Sequence, residues 1–214
     1  MKKGFLISFE GGEACGKSTQ IKEFEKYLKD KNVDYIISRE PGGTQVGEKI
    51  REILLNSKQD IDPLVELFLF SAARIAHLQK VVRPALEEGK AVVLDRYYDS
   101  TFAYQGYAGA LSPSTIAHVT KLAIGDCTTD LTFLLDITYE ESMRRKMASE
   151  ELKNLDRIES KSKDFHDKVR KGYLEIAKAN PKRVFVVDAS QSREAVFEEI
   201  KKEFERRYFK ERQK

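Results

Sequence analysis

The residues whose types and spacing could do chemistry begin at position 11, with Gly-Gly-Glu-Ala-Cys-Gly-Lys-Ser. This run fits the pattern G-x-x-x-x-G-K-[ST] at every fixed position, and an apolar stretch precedes it. Glycines at these places let backbone N–H groups point at phosphate oxygens, while Lys17 reaches the β- and γ-phosphates and Ser18 can ligate Mg²⁺. The pattern predicts a nucleoside triphosphate site that consists of Gly11, Gly12, Glu13, Ala14, Cys15, Gly16, Lys17, Ser18 and Thr19.

Three further groups of residues suit the recognition of a second nucleotide. Asp95 follows another apolar stretch and can hold Mg²⁺ or its waters, and the adjacent Arg96 can grip a phosphate at two points. The alternative for this pair is a structural ion pair. Phe70 and Arg74 are four residues apart on one predicted helix face, so a stacking ring and a cation project together. The alternative, which is more common for such a pair, is that the ring belongs to the core and the arginine to the surface. The stretch 97–106 is crowded with aromatic and hydrogen-bonding side chains, which suits a base and a sugar.

Five short apolar runs alternate with longer segments of helical periodicity, and this alternation must position those residues. Such runs fit strands buried on both faces of a parallel sheet, and their alternation with helices predicts a doubly wound α/β fold. Four runs lead into Glu10, Asp95, Asp136 or Asp188, at the strand ends where ligands bind in such folds. The predicted strands are 5–9, 35–38, 91–94, 131–135 and 184–187; the clearest predicted helices are 18–31, 44–55, 63–86, 113–124, 165–179 and 193–209.

Composition narrows the class of protein. The chain has 214 residues, of which 41% are apolar and 34% charged, which is typical of a globular domain and excludes a disordered chain or a membrane protein. The net charge of +3 is too weak to indicate nucleic-acid binding by bulk charge. Cys15 and Cys127 are isolated and the N-terminal residues lack a signal-peptide pattern, so we expect reduced thiols, a cytoplasmic location and no membrane partner.

A phosphate loop alone does not separate kinases from other nucleotide-binding proteins. The chain lacks the Asn-Lys-x-Asp and Asp-x-x-Gly motifs of switch GTPases, and a DNA-handling ATPase would be larger and more basic. The remaining features favour a small kinase. The charge run 144–156 is interpreted on its own as a solvated surface, and the histidines at 77, 118 and 166 as structural.

Taken together, these residues resemble the thymidylate kinase family over nearly the whole chain. The similarity lies in Phe9-Glu10-Gly11 with the phosphate loop, Arg39-Glu40-Pro41-Gly42-Gly43-Thr44, Phe70 to Arg74, Asp95-Arg96-Tyr97, Ser100-Thr101 with Ala103-Tyr104-Gln105-Gly106, and Leu155-Asp156-Arg157-Ile158-Glu159. The Arg-Glu-Pro-Gly-Gly-Thr run and the Asp-Arg segment with Tyr-Gln-Gly are specific to this family, whereas the bare phosphate loop is not.

The resemblance implies a P-loop kinase fold, in which a five-stranded parallel sheet has helices on both faces, with a lid at about 142–160 inside a single domain of residues 1–214. It implies transfer of the γ-phosphoryl of ATP to dTMP, with Mg²⁺, in dTTP synthesis, and a homodimer. The apolar face of 64–76 suits either a dimer contact or the core.

The resemblance also assigns roles in the acceptor site. Phe70 would stack on thymine and Arg74 would bond its carbonyl edge. Tyr104 would fill the space of a ribose 2′-hydroxyl, and Glu13 would orient the acceptor phosphate and its metal shell. Further positions expected around the acceptor are Arg39, Pro41 and Arg96 at the phosphate, and Thr101 and Gln105 along the base and sugar.

The lid carries the remaining assignments. One branch of the family has an arginine where this chain has Ala14, so the resemblance is to the bacterial branch, in which lid arginines supply that charge. Lys17 and Arg96 are expected to be catalytic together with Arg145 and Arg157, while Arg144 would lie against adenine. Residues 148–154 make this lid longer, which leaves open which arginine reaches the transferred phosphoryl group.

Two alternatives stay open at this point. A different nucleoside monophosphate kinase or a deoxynucleoside kinase would share the fold but choose another acceptor, and Phe70, Arg74 and Tyr104 favour a deoxypyrimidine monophosphate. A nucleotide-binding module without transfer activity is disfavoured by the intact Lys17 and Arg96.

Overall fold

A five-stranded parallel sheet lies at the centre of the part of the chain that the computed structural model describes, residues 4–149 and 156–212. The strands are β1 (Phe5–Gly11), β2 (Tyr35–Arg39), β3 (Ala91–Asp95), β4 (Leu131–Asp136) and β5 (Val184–Asp188). Their order is β2-β3-β1-β4-β5, and every neighbouring pair is parallel. All carboxyl ends therefore lie at one edge of the sheet, with the phosphate loop after the central strand.

Alternating side chains of β1 bury themselves in two different cores. Phe5, Ile7 and Phe9 pack with residues of the first and last helices, whereas Leu6 packs with residues of β3 and of the helices on the opposite face. The sheet is thus covered on both sides, as the apolar runs predict. The α/β fold predicted from the sequence is confirmed.

Most of the predicted helices begin and end close to the predicted positions, and the structure adds the helices Tyr98–Thr101 and Tyr139–Ala148, which the sequence does not predict. Side chains cap several of them, as Thr44 does for α2, Asp62 for α3 and Ser162 for α8. No helix among the described residues is long and apolar enough to cross a membrane. The helices are α1 (Lys17–Asp30), α2 (Gln45–Asn56), α3 (Pro63–His77), α4 (Arg83–Glu87), α5 (Tyr98–Thr101), α6 (Pro113–Ile124), α7 (Tyr139–Ala148), α8 (Lys163–Ala179) and α9 (Arg193–Arg212).

Two stretches differ from the sequence prediction. The predicted helix 63–86 is interrupted by a π-helical turn, Leu78–Val82, between α3 and α4. Pro84 has no backbone N–H, so the regular hydrogen-bond ladder cannot continue through it, and the widened turn precedes it. The stretch after Asp95, for which the sequence predicts only a recognition segment, forms α5 and a second π-helical turn, Phe102–Ala108.

Candidate active site

The phosphate loop joins β1 to α1 in a conformation that depends on its glycines. Gly11 has φ 142°, and a Cβ there would lie 2.4 Å from the backbone oxygen of Leu135. Gly16 precedes α1 with φ 92° and provides no side-chain cap. The first N–H groups of α1 therefore lack side-chain partners and, with the positive end of the helix dipole, favour an anion.

Lys17, at the start of α1, is buried inside this loop. Its Nζ lies 3.0 Å from the backbone oxygen of Gly12 and 3.3 Å from that of Gly11. Cys15 places its Sγ 3.6 Å from the same ammonium group. The loop thus holds a cation at its centre, beside the N–H groups that can bind phosphate.

Two cavities meet at the phosphate loop, one on each side of Lys17. One, of about 520 Å³, is lined by the loop, by Arg145 and by the backbone after β5; we call it the donor groove. The other, of about 220 Å³, lies between β3, α3 and the segment after Arg96; we call it the acceptor cavity. The residues that line both are Glu13, Lys17, Ser18 and Glu159. A group bound in one cavity can therefore approach a group bound in the other.

Arg96 lies on the wall of the acceptor cavity in a network of bonds. Its backbone φ is 67°, a left-handed conformation that residues with a Cβ seldom adopt. The guanidinium donates through Nη2 to Glu13 Oε1 at 2.6 Å and through Nη1 to the backbone oxygen of Gly11 at 2.9 Å. It also lies over the ring of Tyr104, 5.1 Å from the centroid. Arg96 is thus fixed beside the phosphate loop.

The charge of Glu13 follows from these neighbours. Burial by itself would raise the pKa of Glu13, but the charges of Arg96 and Lys17 and a hydrogen bond from the Tyr104 hydroxyl lower it to about 2. Glu159, which shares both cavities with it, has its pKa raised to about 7 by burial and by the charge of Glu13. Glu13 is therefore ionised at neutral pH, as a group that orients a phosphate through its metal or through Arg96 must be.

Arg74 on α3 lies in the wall of the acceptor cavity and is almost fully buried. It donates through Nε to Glu40 at 2.7 Å and through Nη1 to the Thr101 hydroxyl at 3.1 Å. His77 bonds the other carboxylate oxygen of Glu40 through Nδ1 at 3.1 Å, so this histidine is structural. The structure brings Arg74 and Thr101 together, and a guanidinium with five N–H groups keeps donors for a ligand beyond these bonds.

The other predicted acceptor residues also line this cavity. Phe70 on α3 is half-buried and exposes part of its ring, while Gln105 donates to Glu66 Oε2 at 3.0 Å. Arg39 is exposed and pairs with Glu48 at 2.9 Å. No pattern in the sequence marks Arg51, which donates to the backbone oxygen of Pro41 at 3.0 Å. Arg51 adds a further cation to the wall, and only the packing of α2 against the cavity reveals it.

Of the predicted lid, residues 142–160, the segment 150–155 lies outside the described residues. The three arginines of the predicted lid lie in different places. Arg145 lines the donor groove and donates to the backbone oxygens of Ala189 at 2.6 Å and Ala14 at 3.4 Å. Arg144 is exposed and bonded to Glu141. Arg157 is buried away from the loop, against Glu66 and the backbone oxygen of Leu54. The structure thus brings only Arg145 of these three to the phosphate loop.

A buried lysine for which the sequence predicts no role also lies beside the phosphate loop. Lys146 on α7 lines the donor groove and lies 3.6 Å from Glu159 Oε2. Its charge also acts on Glu13. The sequence showed Lys146 only as part of a basic run, because the helix face that it occupies could not be derived.

The two predicted metal ligands, Ser18 and Asp95, both line the acceptor cavity. The Ser18 hydroxyl is exposed at the start of α1, and the carboxylate of Asp95 ends β3. Hydroxyl and carboxylate oxygens are ligands that suit Mg²⁺, which keeps several waters and takes few protein ligands beside phosphate. Among residues 4–149 and 156–212 there is no cluster of three or more His, Cys, Asp or Glu that could hold a metal by itself.

The strand order, the phosphate loop and the two adjoining cavities define a P-loop nucleotide kinase. Comparison with known proteins is consistent with this class. The family model described as thymidylate kinase matches residues 9–200, so the chain belongs to the thymidylate kinase family.

Individual relatives are similar to this chain over most of its length. Thymidylate kinase of Thermoanaerobacter sp. is 43% identical over 198 residues, which cover 92% of this chain and 96% of the relative. Thymidylate kinase of Chlorobium luteolum is 47% identical over 190 residues, with 86% and 89% covered. The crystal structure of thymidylate kinase from Ehrlichia chaffeensis superposes with a TM-score of 0.75 at 33% identity, with 94% of this chain and 98% of that chain covered.

Proposed function

We propose that the protein transfers the γ-phosphoryl group of ATP to the phosphate of dTMP, giving dTDP and ADP, in dTTP synthesis. The observation that carries this proposal is the meeting of the donor groove and the acceptor cavity at Lys17 and Glu13. Membership of the thymidylate kinase family supports the choice of both substrates. ATP would occupy the donor groove along the phosphate loop, and dTMP would lie between Phe70 and Arg96.

The mechanism needs positioning and charge neutralisation more than covalent help. The acceptor phosphate is already an anion at neutral pH, so in-line transfer needs no strong general base. Lys17 would neutralise charge on the β- and γ-phosphates, and Arg96 would bind the acceptor phosphate with Arg39 and Pro41 nearby. Arg145, beside Ala14, would add positive charge as the phosphoryl group moves.

The lid and the metal complete this proposal. The segment 142–160 would close over ATP and exclude water, which would otherwise hydrolyse it. Arg144 and Arg157 could reach the nucleotides only by leaving Glu141 and Glu66, their present partners. Ser18 and Asp95 would hold Mg²⁺, which supplies further neutralisation of the phosphate charges when it is bound.

An acceptor panel tests the proposed reaction directly. ADP release should be measured with ATP and, in turn, dTMP, dUMP, AMP, CMP and thymidine. We expect dTMP to give the highest kcat/KM, because Phe70 and Arg74 suit a pyrimidine and Arg96 requires a phosphate. A preference for AMP or CMP would indicate a different monophosphate kinase, a preference for thymidine a nucleoside kinase, and no turnover a binding module.

Tyr104 should select the deoxy sugar. Its ring is buried beneath Arg96 and its hydroxyl donates to Glu13 at 3.0 Å. Tyr104→Ala should narrow the kcat/KM gap between dTMP and its ribo analogue by about tenfold, because space opens for a 2′-hydroxyl. Tyr104→Phe keeps the ring and should keep the gap. Equal use of both acceptors by the unaltered enzyme would refute this role.

We also propose that the protein is a homodimer that pairs through α3. This helix leaves four apolar side chains exposed to solvent, those of Leu64, Val65, Phe68 and Ile75. Phe68→Asp should yield a monomer by light scattering, since it places a charge in the contact. Met147→Asp, at an exposed apolar position on α7, is the matched control and should not alter the mass. A monomeric unaltered protein would contradict the proposal.

A cytoplasmic location is a further proposal. The two cysteines, Cys15 and Cys127, are free and buried, which is typical of proteins from reducing compartments. Cell fractionation tests this location.

A further inference from the structure

A cluster of buried hydrogen bonds joins Arg96 to Glu10, a β1 residue that the mechanism does not use. Ser100 Oγ donates to Glu10 Oε2 at 2.7 Å, and the Tyr173 hydroxyl donates to the same oxygen at 2.9 Å. The two hydroxyl oxygens are 2.7 Å apart. Arg96 Nη1 lies 3.0 Å from the Tyr173 hydroxyl and 3.4 Å from Ser100 Oγ.

The charge of Glu10 fixes the direction of these bonds. An ionised carboxylate only accepts, so at least one of the two hydroxyl groups directs its single proton at Glu10, and the other donates either to Glu10 or to the first hydroxyl oxygen. Their lone pairs then face Arg96, whose N–H groups only donate. If Glu10 carried a donor in place of the second oxygen, a hydroxyl group would turn its proton away from Glu10 and towards Arg96, and Nη1 would keep the backbone oxygen of Gly11 but lose a hydroxyl acceptor.

The same carboxylate also holds the backbone of Arg96. Glu10 Oε1 accepts from the backbone N of Tyr97 at 2.6 Å, directly after the left-handed residue. Left-handed conformations of residues with a Cβ persist only where the surroundings enforce them. One buried side chain is therefore bonded on one oxygen to the turn that carries Arg96 and on the other to the hydroxyls that accept from its guanidinium.

We propose that Glu10 is a positioning residue that, through Tyr173 and Ser100, holds the Arg96 guanidinium in the orientation that binds the phosphate of the acceptor nucleotide. This inference rests on the proposed function, since it requires Arg96 to bind that phosphate. It assigns a role in substrate binding to Tyr173, a residue of α8 that lies 77 positions from Arg96 in the chain.

The charged surroundings determine the conditions of the test. Burial and the charge of Asp99 raise the pKa of Glu10 to about 7, against the opposing effects of Ser100, Arg96 and the Tyr97 N–H. Arg183, which pairs with Asp99 at 2.6 Å, is a further cation near this group. Kinetics at about pH 8 therefore report the ionised carboxylate, and those at about pH 6 the protonated one.

Glu10→Gln is the sharpest variant, because it keeps the shape and replaces one acceptor with a donor. At about pH 8 we expect the KM for dTMP to rise about tenfold, as for loss of hydrogen bonds to a charged group, with the KM for ATP unchanged. Tyr173→Phe should raise the same constant by a similar factor. The double variant should be no worse than the worse single variant, because the two side chains act in one network.

The controls separate positioning from stability. Tyr27→Phe removes a hydroxyl that donates to Glu205 at 2.8 Å in the core beside α9, and it should leave both KM values unchanged. Between about pH 8 and pH 6 the ratio of the dTMP KM of Glu10→Gln to that of the unaltered enzyme should narrow, since only the unaltered enzyme titrates at position 10, whereas Glu159 titrates in both. The ionisation of the substrate phosphate cancels in this ratio.

Arg96→Lys distinguishes this inference from the proposed function. If Arg96→Lys leaves the KM for dTMP unchanged, Arg96 does not bind the acceptor phosphate and the proposed function of this residue fails. If Arg96→Lys raises it, but Glu10→Gln and Tyr173→Phe keep it within about twofold, the positioning role is overturned while the function stands. A parallel rise in both KM values with a lower Tm would equally overturn it, as a purely structural effect.

Discussion

Lys17→Ala is expected to reduce kcat by more than about a hundredfold, which corresponds to about 3 kcal/mol of transition-state stabilisation. The ammonium group lies at the junction of the donor groove and the acceptor cavity, within 3.3 Å of two backbone oxygens of the phosphate loop. Alanine would leave the developing charge on the transferred group without its nearest cation. Steady-state kinetics at saturating ATP and dTMP, with Tm by calorimetry, provide the measurement.

The control for this variant lies one turn further along the same helix. Lys22 is an exposed residue of α1, and Lys22→Ala changes the net charge equally without reaching the loop. It should retain kcat, and both variants should remain folded. Near-normal turnover by Lys17→Ala would show that Lys17 is not part of the transfer site.

Arg145→Ala is expected to lower kcat by about a thousandfold while changing the KM for dTMP little. Ala14 leaves the phosphate loop without a cation at its tip, and the Arg145 guanidinium contacts the backbone oxygen of that residue. A cation that reaches the transferred phosphoryl group only when the lid closes stabilises mainly the transition state, so its loss lowers kcat. Kinetics of Arg144→Ala, Arg145→Ala and Arg157→Ala at saturating ATP test this role.

Arg157 needs a separate measure of stability in this series. It is buried in an ion pair with Glu66, and breaking such a pair costs about 3–5 kcal/mol of folding free energy. Lys168→Ala, on the exposed face of α8, is the charge-matched control. If all three arginine variants keep kcat within about threefold, the lid arginines add no catalytic charge, and the mechanism would rest on Lys17, Arg96 and Mg²⁺.

The sequence was most informative where local patterns determine structure. The apolar runs predict all five strands, including the partly exposed edge strands β2 and β5, because short apolar runs that alternate with helices have few alternatives, and the glycine pattern predicts the phosphate loop. It was least informative about α7 and the π-helical turns, where charge-rich or aromatic segments carry no clear period. Arg51 and Tyr173 reach the site through tertiary packing, and no local pattern marks them.

The lid arginines show what the placement of a helix adds to the sequence. Arg144 and Arg145 are neighbours of identical chemistry, and only the family resemblance favoured Arg145 over Arg144 as the catalytic residue. The helix rotates successive residues by about 100°, which sends Arg145 into the donor groove and leaves Arg144 in solvent. Sequence spacing identified the cluster, and the placement of α7 shows which of the two neighbours faces the donor groove.

The shared wall of the two cavities has a thermodynamic consequence. Glu13, Lys17, Ser18 and Glu159 line both cavities, so in the proposed arrangement a nucleotide in one cavity would alter the charges and contacts that the other cavity offers. Linkage requires the effects to be reciprocal: the factor by which ATP changes the affinity for dTMP equals the factor by which dTMP changes the affinity for ATP. If both nucleotides bind as proposed, this coupling would act through the residues that line both cavities, three of which belong to the phosphate loop.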